Sequence, residues 1–174
     1  MATAGLALQF VRPDDPTPPL RYFTIWSALG VAVSEPLAGL RKPPWMGALS
    51  RVFRTGAVAS GAVYVLALAP INGWGNSDLT IGANVVLHAA LPAAVILCTK
   101  MNASPRRTIT QEVSTLAFPL SYFAATEIAQ LTTDYRSPYV FLQLGQGGVV
   151  IASAGAGFVL LWLGIIALFR KLER

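Results

Sequence analysis

No Asp, Glu, Lys or Arg occurs between Arg136 and Arg170. A bilayer core about 30 Å thick is crossed by roughly 20 apolar residues in a helix. Within lipid every backbone N–H and C=O must be bonded inside the segment, so a run of this kind is confined to a helix or a closed barrel. Residues 148–169 are the cleanest such stretch, and four more segments have the required length: 21–40, with Glu35 and Pro36 near its end, 52–69, 80–99, and 113–131, which contains Glu127. Of the 174 residues, 54% are hydrophobic and 12% charged, whereas a soluble domain carries about 25% charged residues. The expected fold is all-α: a polytopic membrane helix bundle of about five transmembrane helices spanning residues 21–174.

The formal charge of +5 does not point to nucleic acid, because the basic residues lie in short clusters between apolar runs. Counted by side, Arg41, Lys42, Arg51, Arg54, Lys100, Arg106, Arg107, Arg170, Lys171 and Arg174 fall together. Only Arg12, Arg21 and Arg136 fall opposite, with Asp14, Asp15, Asp78 and Asp134. Cytoplasmic loops carry the excess of Lys and Arg. The expected arrangement is an integral, multi-pass membrane protein with its C-terminus cytoplasmic and its N-terminus outside. Residues 1–20 form a separate interfacial or capping segment. Their first charge is Arg12, so the positive start of a signal peptide is missing, and Pro13, Pro16, Pro18 and Pro19 break any helix there.

Polar groups inside a membrane are costly and are functional candidates by default. Thr24 and Ser27 lie three apart on one helix face; Asn84 and His88 lie four apart on another. Glu127 belongs to the fourth segment, and Tyr135 and Tyr139 to the loop after it. The expected topology puts all of them in the outer half of the bilayer, with His88 about 12 Å deep at helical rise. A hydroxyl and an imidazole at compatible depth are the minimum for a nucleophile with a general base. Each residue also has a plainer role. Membrane threonines bond their own backbone one turn back, and a single His packs helices or ligates a cofactor. Asn84 either orients His88 or bonds a neighbouring helix, and Glu127 snorkels or pairs with Arg136. With His88 and Cys98 each the sole representative of its type, a Cys/His zinc site cannot assemble within one chain, and no metal or cofactor is expected. Ser153 to Gly157 are small residues, through which membrane helices pack closely, so the fifth helix is the expected contact for a helix partner.

Four segments, in order, carry a resemblance. Arg21-Tyr22-Phe23-Thr24-Ile25-Trp26-Ser27, Asn84-Val85-Val86-Leu87-His88-Ala89-Ala90-Leu91-Pro92, Phe118-Pro119-Leu120-Ser121-Tyr122 and Ser137-Pro138-Tyr139-Val140-Phe141-Leu142 resemble motifs of the androgen-induced membrane hydrolases and their bacterial relatives. The order holds from Arg21 to the C-terminus. Where bacterial relatives have a polar run after the threonine, this chain has Ile25 and Trp26 before Ser27. Where they have an acidic residue after Phe-Leu, it has Gln143. The family's additional N-terminal helix would correspond to residues 5–10. The resemblance implies a multi-pass hydrolase of fatty-acid esters of hydroxy fatty acids, with Thr24 as nucleophile and His88 as base. Ser27, Asn84, Glu127 and Tyr139 are then the supporting or substrate-binding candidates, and the partners are membrane lipid and a lipid-like ester. Two other readings compete: a non-catalytic subunit of a larger membrane complex, and a cofactor-binding protein using His88 as ligand.

Overall fold

The computed structural model describes residues 2–10, 19–35, 44–101 and 107–173. Among these residues no strand occurs. The helices are α1 (Ala2–Phe10), α2 (Phe23–Ser34), α3 (Trp45–Asn72), α4 (Asp78–Met101), α5 (Ile109–Val113), α6 (Ala117–Thr132) and α7 (Gly148–Leu172). A 3-10 turn, Ser114–Leu116, joins α5 to α6 without a break.

Three of these helices, α3, α4 and α7, are long and apolar enough to cross a membrane, with lengths of about 36–42 Å at 1.5 Å per residue. The α5–α6 run is of similar length but more polar. Of the segment expected over 21–40, α2 covers 12 residues, about 18 Å, and residues 36–40 lie outside the described part. Residues 11–18, which include Pro13, Pro16 and Pro18, also lie outside it. Pro19 opens a 3-10 turn, Pro19–Arg21. Helix α1 lies across α2 and α4, with Ala2 and Leu6 buried in the common core.

Prolines set the local irregularities. Proline lacks an N–H, and its ring clashes with the carbonyl four residues back. Two π-helical segments, Tyr64–Leu68 in α3 and Val86–Ala90 in α4, each end two residues before a proline, Pro70 and Pro92. The widened turn relieves the clash with the carbonyls of Leu66 and His88. Pro119 stands four residues after Thr115, inside the 3-10 turn between α5 and α6.

Helix packing rests on small residues and a central aromatic cluster. In lipid no hydrophobic gain draws helices together, so close van der Waals fit carries more of the stability. The Phe23 ring has ring centroids of Phe118, Tyr122 and Phe158 at 5.0, 5.2 and 5.6 Å, geometries worth about 0.5–1.5 kcal/mol per pair. Trp162 is fully buried beside them and donates its indole N–H to Thr115 Oγ1 at 2.9 Å. A Cβ on Gly30 would enter the Phe53 ring, and one on Gly56 would lie 2.5 Å from Ser27 Oγ, so glycine sets the α2–α3 separation. In α7, by contrast, nothing lies within 4 Å of a Cβ on Gly157. The two glycines therefore respond to alanine with opposite signs. Gly30→Ala is expected to lower stability by about 1–3 kcal/mol through overpacking. Gly157→Ala is expected to gain up to about 1 kcal/mol in helix propensity. Thermal unfolding of the purified variants in detergent reads both signs.

At the end of the bundle where α3 begins, the sequence reading needs correction. Arg51 and Arg54, expected beside the start of the second span, lie inside α3, because the helix begins at Trp45 rather than near residue 52. Arg51 is 4% exposed and holds Glu112 of α5 through Nε and Nη2 at 3.0 and 2.7 Å. Its Nη1 and Nη2 reach Glu173, just after α7, at 2.7 and 2.9 Å. Arg54 pairs with Glu35, which also accepts from Ser50 Oγ at 2.8 Å. Glu35 is thus a paired charge at the end of α2, not an isolated one inside a span.

Candidate active site

The opposite end of the bundle is open. Here α2, α4 and α7 begin and α3 and α6 end, and a cavity of about 620 Å³ lies between them. That volume lies within the range of about 300–1,000 Å³ common for small-ligand sites. Phe23, Phe123, Phe141 and Phe158 supply much of its apolar wall, and Thr24, Tyr64, Asn84, His88 and Tyr139 supply polar groups. Gly73 and Gly75, at φ +70° and +137°, shape the short connection from α3 to α4 at its rim.

Thr24 is the second residue of α2 and is 6% exposed. Other helical threonines behave as a membrane threonine is expected to: Thr55, Thr99 and Thr132 donate to the carbonyls of Arg51, Val95 and Ile128 one turn back. Thr24 sits too early in its helix for that. The carbonyl four residues back, Leu20 O, already accepts the Trp26 indole N–H at 2.8 Å. The Thr24 side chain instead pairs with the hydroxyl of Tyr139. The same hydroxyl accepts the backbone N–H of Phe23 at 3.1 Å and bonds the backbone of Thr24. Those N–H groups belong to the first turn of α2, where no intrahelical carbonyl reaches them. Burial of the Tyr139 hydroxyl pushes its pKa up to about 12, although its bonds to Thr24 and Phe23 pull the other way.

His88 belongs to the π segment of α4 and is 9% exposed. Its ring stacks on Tyr64 of the facing π segment, with centroids 4.0 Å apart and planes 8° from parallel. Tyr64 is fixed in turn by donation to Gly73 O at 3.2 Å and by the Trp74 ring at 5.3 Å. The two helices approach this closely because Gly61 faces the His88 carbonyl, where a Cβ would stand 2.8 Å from the oxygen. Asn84, one turn before His88, donates to Trp74 O at 2.8 Å and so ties the α3–α4 connection to α4.

Four of the six candidates thus line one cavity: Thr24, His88, Asn84 and Tyr139. Ser27 does not; its hydroxyl donates to Phe23 O at 3.0 Å and packs against Gly56. Glu127 lies in α6 away from the cavity lining, and its Oε1 is enclosed without a hydrogen-bond partner. Sequence reasoning passed over Tyr64. Its signal was depth, since Tyr64 stands eight residues before the end of α3 and His88 ten residues into α4. Among the described residues no three His, Cys, Asp or Glu side chains gather where a metal ion could be held. The chain matches no family model, no curated protein and no solved structure.

Proposed function

We propose that this protein is an integral membrane hydrolase that cleaves fatty-acyl esters, such as fatty-acid esters of hydroxy fatty acids, with Thr24 as nucleophile and His88 as general base. The observation that carries the reading is that Thr24 and His88, on helices distant in sequence, line one largely apolar cavity. Thr24 Oγ1 attacks the ester carbonyl carbon while His88 takes the hydroxyl proton. Collapse of the tetrahedral adduct breaks the C–O bond to the alcohol, which leaves with the proton from His88. Water, deprotonated by His88, then attacks the acyl-threonine and releases the fatty acid. The acyl chain lies against Phe123, Phe141 and Phe158, and no resident cofactor is required.

The protein crosses the membrane about five times in this reading, through the segment beginning with α2, then α3, α4, the α5–α6 run and α7. The basic residues place the C-terminus in the cytoplasm and the cavity mouth outside. Reporter fusions after Gly75 and after Tyr135 are expected to read extracytoplasmic, and fusions after Ala103 and Arg174 cytoplasmic. A cytoplasmic signal at Gly75 overturns the orientation.

A second reading, a non-catalytic subunit of a larger complex, draws on α7. Gly155, Gly157 and Gly164 have open space at their Cβ positions, as a close helix partner requires. Purification from the native membrane separates the two. Ester hydrolysis with an acyl adduct on Thr24, detected by mass spectrometry, supports the hydrolase. A stoichiometric co-purifying partner without hydrolysis supports the subunit.

A further inference from the structure

We infer that Tyr64 is a positioning residue for His88: its ring, stacked on the imidazole, favours the protonated base that forms as Thr24 and then water give up their protons. This rests on the hydrolase reading and adds to it the group that stabilises charge on the base. The geometry suits a cation held over a ring. The centroids are 4.0 Å apart and the planes 8° from parallel, and a cation within about 6 Å of an aromatic centroid is drawn to the negative ring face. A neutral imidazole brings no charge to that face, so the attraction grows as the proton arrives. An interaction stronger in the transition state than in the ground state raises kcat. The nitrogens of an imidazole lie on its edge, so a partner on its face occupies neither of them. In a Ser-His-Asp triad a carboxylate both orients the imidazole and stabilises the imidazolium; here the ring face serves the second purpose.

The stack is built into both helices. Tyr64 opens the π segment of α3, and His88 is the middle residue of the π segment of α4. Gly61, three residues before Tyr64, lets the two segments meet, since a Cβ there would stand 2.8 Å from His88 O. The Tyr64 ring is itself held, by donation of its hydroxyl to Gly73 O at 3.2 Å and by the Trp74 ring at 5.3 Å. Asn84 fixes Trp74 from α4 through its bond to Trp74 O at 2.8 Å. His88 is 9% exposed, so little water screens the charge it gains, and the attraction of a cation to a ring strengthens with desolvation.

The test is steady-state hydrolysis of p-nitrophenyl palmitate by the purified full chain in detergent. Tyr64→Leu, which keeps an apolar side chain without a ring face, is expected to lower kcat about 5- to 30-fold, with KM within about twofold. Tyr64→Phe restores the ring but not the bond to Gly73 O, and most of the lost kcat is expected to return. Mono-, di- and trifluorophenylalanine incorporated at 64 then grade the ring face, because each fluorine withdraws electron density with little change of shape. The expected result is a stepwise fall in kcat along that series. A stack that merely packs α3 against α4 keeps kcat level across it. A level or rising series beside an inactive His88→Gln overturns the inference and leaves the hydrolase standing. Wild-type turnover in His88→Gln or in Thr24→Ala overturns both. If Tyr64→Leu does not accumulate, the fluorinated series decides alone: a stepwise fall supports the inference and a level series overturns it.

Discussion

Thr24→Ala is expected to reduce hydrolysis of a long-chain ester by about a thousandfold or more, since removing a nucleophile leaves only binding and electrostatic contributions. The fold should tolerate the change. Tyr139 keeps the Phe23 N–H as partner, and Thr24 contributes a single buried methyl, worth about 1 kcal/mol. Thr24→Ser keeps the hydroxyl but loses the β-branch that restricts its rotamer, so its rate should lie between the two. His88→Ala is expected to be similarly inactive, but it also removes the partner of the Tyr64 ring at 4.0 Å. His88→Gln, which retains bulk and polarity, is the better variant for separating chemistry from packing. Rates measured beside thermal unfolding decide the matter. Wild-type turnover in Thr24→Ala, with an intact melting transition, removes the nucleophile assignment.

Much of the architecture was legible in the chain because lipid imposes a length and a polarity on each span. The expected segments 80–99 and 148–169 became α4 at Asp78–Met101 and α7 at Gly148–Leu172. The end of the second segment near residue 69 fell short of Asn72 only because Pro70 continues the helix beyond a π segment. Hydropathy misplaced its start. It stops at Arg51 and admits Arg54 only in the first turn, whereas partners in sequence-distant elements neutralise both well inside the helix. The candidate site divides the same way. Spacing put Asn84 and His88 on one face, and both line the cavity. It also put Thr24 and Ser27 on one face, but Gly56 presses against Ser27 and keeps it in the helix interface. Nothing in the local sequence marks Tyr64 as the stacking partner of His88. That pairing depends on two π segments, each placed by its own proline, and on Gly61 allowing them to meet.

Arg51→Ala is expected to be the most destabilising single substitution in the bundle. Arg51 joins α3, α5 and the end of α7 through four hydrogen bonds of 2.7–3.0 Å to Glu112 and Glu173. Its guanidinium also lies 4.9 Å from the centroid of the buried Phe169 ring. The side chains of Arg51 and Glu112 are 4% and 2% exposed, so solvent does little to screen what remains when one partner is removed. Losing the cation leaves two carboxylates facing each other across a nearly dry gap. Breaking such a buried pair from one side costs about 3–5 kcal/mol, while replacing the whole group by apolar residues of similar volume is often neutral or better. The triple variant Arg51→Met, Glu112→Leu, Glu173→Leu should therefore unfold at a higher temperature than Arg51→Ala alone. Thermal unfolding of the three proteins in one detergent gives the ordering. If Arg51→Ala melts with the wild type, the triad is not what locks these elements together. The cavity, at the far end of α3, should bind substrate with unchanged KM in the triple variant, because none of its lining residues touches the triad.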